Sequence, residues 1–198
     1  NGLYDYTPGY VYWPSLLMTQ SLSYILFSDI RYALILSNIC IVLAIYKLIP
    51  MRKIALLIIL LWSSLPIQLF IIEQSWIDPL LVCFLIWSWY FLQKEKILYA
   101  GIFLGIGCAT KQYGAVVAIL YGIFCLKSFG LKKFFNLIIF SLIPFLMLML
   151  PFWMLDFTSW KKMTMDVPLS QNMRLDSFSV VASLVKEFGI VVNKYMFS

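Results

Sequence analysis

The chain contains no histidine, which removes the commonest general base and the commonest metal ligand. Any chemistry must use carboxylates, lysines, arginines, hydroxyls or amides. Charge is also scarce: 12% of the 198 residues are Asp, Glu, Lys or Arg, about half of what a soluble domain carries. Cysteine is limited to Cys40, Cys83, Cys108 and Cys125, all inside apolar stretches and without CxxC spacing. They are read as small packing hydrophobes, so neither a disulfide framework nor a zinc site is indicated.

What is present is apolar. Hydrophobic residues make up 63% of the chain and the mean hydropathy is +0.91, so the lipid bilayer is the first partner to reason with. A spanning helix needs roughly 20 largely apolar residues. About six such segments fit between residues 32 and 155. The expected fold is an all-α, polytopic transmembrane helical bundle forming a single domain over 1–198, read as an internal stretch of a longer protein. The net charge of +6 does not point to nucleic acid, because the basic residues lie in short runs between apolar segments, as cytoplasmic loops do.

Residues 32–49 read as a first span, closed by Pro50, Arg52 and Lys53. Residues 54–72 read as a second, with a kink at Pro66 near its far end. The polar link 73–78 leads to a third, over about 79–92, that closes on Lys94 and Lys96, and residues 134–155 form the last. Between them, residues 97–126 are broken by Thr110, Lys111 and Gln112. As one helix these 30 residues would reach about 45 Å, too long for a hydrocarbon core of about 30 Å. Two short helices folded as a hairpin put Lys94, Lys96, Lys127, Lys132 and Lys133 on one side and Lys111 at the tip on the other.

With that parity, eight basic residues (Lys47, Arg52, Lys53, Lys94, Lys96, Lys127, Lys132, Lys133) share one side with a single acid, Glu95. The positive-inside rule makes that side cytoplasmic. The other acids then fall outside. Residues 13–27, short and dotted with Ser, Thr and Gln, read as an amphipathic helix along the outer interface, with Pro14 in its first turn. Residues 1–12 read as an external loop, and 156–198 as an external loop followed by the start of a further helix, interfacial or spanning.

Glu73 and Asp78 flank the turn at the outer boundary. Two carboxylates there can hold a divalent cation, or one can act as a base while the other orients; Asp78 can equally cap the helix that opens at Pro79. Lys111 interrupts an apolar run, and a cation in such a position usually faces a protein interior or a water-filled cavity. It suits an anionic group such as phosphate; the ordinary alternative is a snorkelling loop lysine. Arg174, near Asp176, could hold a phosphate or form a local ion pair. Tyr6 and Tyr10 sit in a rigid aromatic turn that can wall a sugar or a lipid, or belong to an interface aromatic belt.

The motifs LYDYTPGYVY, IIEQSWIDP, GIGCATKQYG and NMRLDSFS, in this order and on a common side, resemble the multi-spanning C-type glycosyltransferases that use polyprenyl-phosphate sugars, in their bacterial integral-membrane branch. The resemblance implies a GT-C-like module in a bacterial plasma membrane. It implies an outward-facing site and transfer of a sugar, as by a hexosyltransferase of mannosyltransferase-like type, to an unknown acceptor. Glu73 and Asp78 match its second acidic loop, as catalytic candidates. Lys111 with Gln112 matches the lysine after a small-residue helix, and Arg174 a later external basic residue. The main base of such enzymes stands upstream of the aromatic-Pro motif, and Asp5 is a poor substitute for it. No cofactor is certain, although a divalent metal serves some branches. The alternatives are a transporter or flippase of lipid-linked sugars, and a non-catalytic subunit with the same fold.

Overall fold

The computed structural model describes residues 13–166. Asp5, Tyr6, Tyr10, Arg174 and Asp176 lie outside the described residues. Residues 13–155 form one compact unit, and 156–166 belong to a second. Every regular element among the described residues is a helix: α1 Pro14–Phe27, α2 Arg31–Leu48, α3 Arg52–Ser64, α4 Pro66–Glu73, α5 Asp78–Gln93, α6 Ile97–Cys108, α7 Gly114–Phe129 and α8 Leu131–Lys161. A π-helical turn, Lys162–Asp166, follows. The all-helical bundle expected from the sequence is what forms.

The exterior is apolar and the interior partly polar. Leu60, Leu69 and Met147 are more than 60% exposed, while Ser15, Ser37, Gln68, Ser88 and Thr110 are buried. Such an inside-out distribution suits lipid as the solvent, because a polar group left facing hydrocarbon would cost several kcal/mol. Helix α1 follows the same rule: Leu22, Ile25 and Leu26 point outward, whereas Ser15 and Ser23 point inward.

Two helices, α2 and α8, are each long and apolar enough to cross a membrane. A third crossing is available if α3 and α4, bent by 52° at the break before Pro66, act as one span. The bend comes where the sequence predicts it, because proline cannot donate to the preceding turn. The remaining apolar helices are shorter, with 16 residues in α5, 12 in α6 and 16 in α7. At roughly 1.5 Å per residue they reach about 24, 18 and 24 Å. Against the six expected segments, the described helices supply two of spanning length, three if α3 and α4 act as one, and three short ones. The shortness of α6 and α7 has the cause anticipated: the run breaks over residues 109–113.

Helix α5 is the hub, packed most extensively on α6 and α2. Within a bilayer there is little hydrophobic drive between helices, so close packing and interhelical hydrogen bonds must hold them, each bond worth roughly 0.6 kcal/mol. Ser88 Oγ donates to the Ala100 carbonyl at 2.8 Å, Tyr121 OH to the Leu85 carbonyl at 3.0 Å, and Trp87 Nε1 to the Cys40 carbonyl at 3.1 Å. All three involve α5. Helix α6 approaches α8 through Gly101 and Gly105, spaced as GxxxG. A Cβ on Gly101 would sit 2.5 Å from Phe140 Cβ, and one on Gly105 would collide with the Ser141 carbonyl and with Pro144. Only glycine allows this approach of backbone to backbone. The four cysteines are free, and they pack as small hydrophobes.

In the second unit, Asp156 leaves helical geometry (φ −162°, ψ 89°) and its Oδ1 accepts the Ser159 N–H at 3.0 Å. It is the N-cap of the helical turns that follow.

Candidate functional site

The short turn 109–113, between α6 and α7, sits against the start of α1. The first N–H groups of a helix lack partners within it, as do the last carbonyls. Here each supplies the other: Ser15 N–H donates to the Ala109 carbonyl at 3.0 Å. Beside this bond, the fully buried Thr110 Oγ1 reaches the Ile106 carbonyl at 3.0 Å and Ser15 Oγ at 3.4 Å. Leu16 packs with Ile77 and Leu80 at the start of α5. Three elements far apart in sequence therefore converge: the start of α1, the start of α5 and the α6–α7 turn.

At that convergence Lys111 Nζ donates to Asp78 Oδ1 at 2.8 Å and to Tyr113 OH at 2.6 Å, and Tyr113 OH donates to the same Asp78 oxygen at 2.6 Å. The three polar groups close a triangle. The lysine side chain is only 14% exposed, against 46% for the aspartate. Asp78 stands before the apolar run that opens at Pro79. Burial pushes its carboxyl up, but hydrogen bonds from Lys111 and Tyr113, with the lysine's charge, outweigh this and hold it below the usual 3.8. The carboxylate therefore stays charged at neutral pH and fixes the ammonium in place.

The alternative role of Asp78 as a helix cap is not realised. Ile77 takes the N-cap position of α5 and no side-chain cap bond forms, because the carboxylate is turned toward Lys111 and Tyr113. Gln112 lies half-buried in the same turn. Glu73 ends α4, exposed, and its charge acts on Arg31. Arg31 in turn grips Asp29 with Nε at 2.9 Å and Nη2 at 2.6 Å from Oδ2. These bonds hold the Asp29 carboxyl below its ordinary range. Ser23 Oγ, which donates to the Asp29 carbonyl at 2.8 Å and accepts the Ala33 N–H at 3.1 Å, pins the α1–α2 turn.

The structure thus brings Asp78, Lys111 and Gln112 together at one place and leaves Glu73 beside the Asp29–Arg31 turn. Sequence reasoning missed Tyr113, Ser15 and Thr110 as parts of this site. A phenol two residues after the lysine, in the same turn, was the available signal for Tyr113. As a divalent site the described residues fit poorly: no three of His, Cys, Asp and Glu gather among them, and the Asp78 oxygen is already shared by an ammonium and a phenol.

The sequence profile of glycosyltransferase family 87 matches residues 3–194, nearly the full chain. No curated protein and no solved structure matches it.

Proposed function

The chain belongs to glycosyltransferase family 87, a C-type family, and from that premise we propose that it moves a sugar from a polyprenyl-phosphate donor to an acceptor beside the Asp78–Lys111–Tyr113 triangle, on the outer face. In this reading α5, α6 and α7 serve as short spans beside α2, α3–α4 and α8, and α1 lies along the outer interface. The observation that carries it is the triangle itself: a largely buried ammonium, fixed by a charged carboxylate and a phenol at the end of the bundle remote from the basic loops.

The proposed reaction is a single displacement. The acceptor hydroxyl oxygen attacks the anomeric carbon, and the bond from that carbon to the phosphate oxygen breaks with its electron pair leaving on the phosphate. The hydroxyl proton passes to a carboxylate. Lys111 stabilises the departing lipid phosphate, an electrostatic task strengthened where water is excluded. Arg174 assists it, with Gln112 and the Tyr6 and Tyr10 rings bordering the sugar. Asp78, held below its ordinary pKa, is a weak proton acceptor at neutral pH, so we assign it the task of positioning Lys111. The remaining candidate for that proton is Glu73, exposed at the end of α4 beside the Asp29–Arg31 turn, to which an acceptor must reach from the triangle.

The test is a transfer assay of the full-length protein with a panel of polyprenyl-phosphate sugars and of nucleotide sugars, with and without a chelator. Transfer from the lipid-phosphate donors alone is expected. Transfer only from nucleotide sugars would overturn the assignment.

A further inference from the structure

At the opposite end of α5 from the triangle lies a cleft of about 580 Å³ between the α2–α3 loop and the end of α5, bordered by Lys47, Pro50, Trp89, Tyr90, Gln93 and Lys94. Its walls are fixed. The Trp89 ring packs on Tyr121 and Phe124 with centroids 5.2 and 4.6 Å apart, and Tyr90 meets Trp87 edge-on at 5.4 Å. Among the described residues neither Lys47 nor Lys94 makes an ion pair, and Glu95, the acid of this end, is engaged by Lys133 at 2.5 Å. Five more basic residues, Arg52, Lys53, Lys96, Lys127 and Lys132, share the end. Beside the cleft the flank is apolar and open, with Leu43, Met51 and Ile54 exposed.

We propose that this cleft binds the phosphate headgroup of an anionic phospholipid, with its acyl chains lying along the Leu43–Ile54 flank. The Lys47 and Lys94 ammonium groups, without an acid partner among the described residues, and the Gln93 amide supply donors to the phosphate, and Trp89 and Tyr90 have the amphipathic character that suits headgroup depth. The apolar flank distinguishes a lipid from a soluble phosphate, which would gain nothing from it. The site uses no residue of the sugar-transfer reading except its orientation in the bilayer, and it can be tested without turnover.

Purified full-length protein in a neutral detergent is melted with short-chain phosphatidylglycerol, with phosphatidylcholine of the same chain length, and with inorganic phosphate. Phosphatidylglycerol is expected to raise Tm with saturation, and the other two are not. The double variant Lys47→Gln, Lys94→Gln should need roughly tenfold or more lipid for the same shift, each single variant less. Lys127→Gln with Lys132→Gln, which removes equal charge outside the cleft, and Lys111→Ala should both keep the shift. An equal shift with phosphatidylcholine, or an unaltered one in the Lys47/Lys94 variant, overturns the proposal. So does equal loss in the Lys127/Lys132 variant. Full reproduction of the shift by inorganic phosphate also overturns it, in favour of a soluble phosphate compound.

Discussion

The two ends of α5 lie about 24 Å apart along one helix of 16 residues, and they handle charge in opposite ways. At the Asp78 end, lysine, aspartate and tyrosine hold one another in a closed triangle, with α1 docked beside it through a backbone bond to the turn. At the Lys94 end, basic residues outnumber acids and two lysines border an open cleft without acid partners among the described residues. The basic end is what topology alone would produce, since insertion favours Lys and Arg on the cytoplasmic side. The triangle has no such origin, because a lysine that merely ended a hairpin could reach water instead of being buried against a carboxylate. Topology accounts for the excess of positive charge at one end, whereas the buried pairing at the other calls for a function of its own.

The sharpest break of this contrast is Lys111→Ala, expected to lower kcat for transfer from a polyprenyl-phosphate sugar about 100- to 1,000-fold, the usual cost of one preorganised charge-stabilising donor. Steady-state kinetics on the full-length enzyme read it, and unchanged turnover would sink the assignment. Gly105→Leu should come next, since the new side chain meets Ser141 and Pro144 and overpacking costs about 1–3 kcal/mol. A thermal melt in detergent would show the loss, and transfer should fall with it because α6 carries the turn.

Tyr113→Phe keeps the ring but removes the hydroxyl that joins lysine to aspartate. The expected fall is about tenfold in kcat/KM, discounted from the 1.5–3 kcal/mol of a charged hydrogen bond because the phenol is exposed. A larger fall than for Lys111→Ala would shift the central role to the phenol. The pH profile gives a fourth test. Asp78 is depressed from 3.8, so the carboxylate's side of the tie to Lys111 is complete through the neutral range and is lost only as pH falls through the lowered value. No inflection belonging to Asp78 should appear between pH 5 and 8, and one that vanished in Asp78→Asn would contradict this. The smallest effect should be that of Lys133→Ala, which breaks the exposed pair with Glu95. Such pairs contribute about 0–1 kcal/mol, and transfer should be unchanged.

The helices were legible because their signals are local. An apolar run, a proline after Leu65 and a lysine amid residues 97–126 each mark a boundary without reference to the rest of the chain. The position of Lys111 at a turn followed from charge parity, and its proximity to Asp78 agrees with the shared side predicted for both. The bond from Ser15 to Ala109 was not legible, since it joins residues 94 positions apart and no periodicity encodes it. Nor was the Asp78 role settled by sequence: an aspartate before proline satisfies a capping rule, and only the nearby ammonium and phenol draw its carboxylate away. The GxxxG contact lay between these cases, for the spacing is visible in α6 while its partner on α8 is not.

The break at 109–113 also bears on how the chain is made. Insertion machinery accepts a segment of about 20 apolar residues. With 12 and 16 residues, α6 and α7 fall short separately, and Lys111 interrupts any window that joins them. On the proposed topology the pair enters together and waits for α8, whose surface at Phe140 and Ser141 receives Gly101 and Gly105. A nascent chain halted before Leu131 should hold this hairpin insecurely, so a helix made after the turn completes the setting of a turn synthesised well before it.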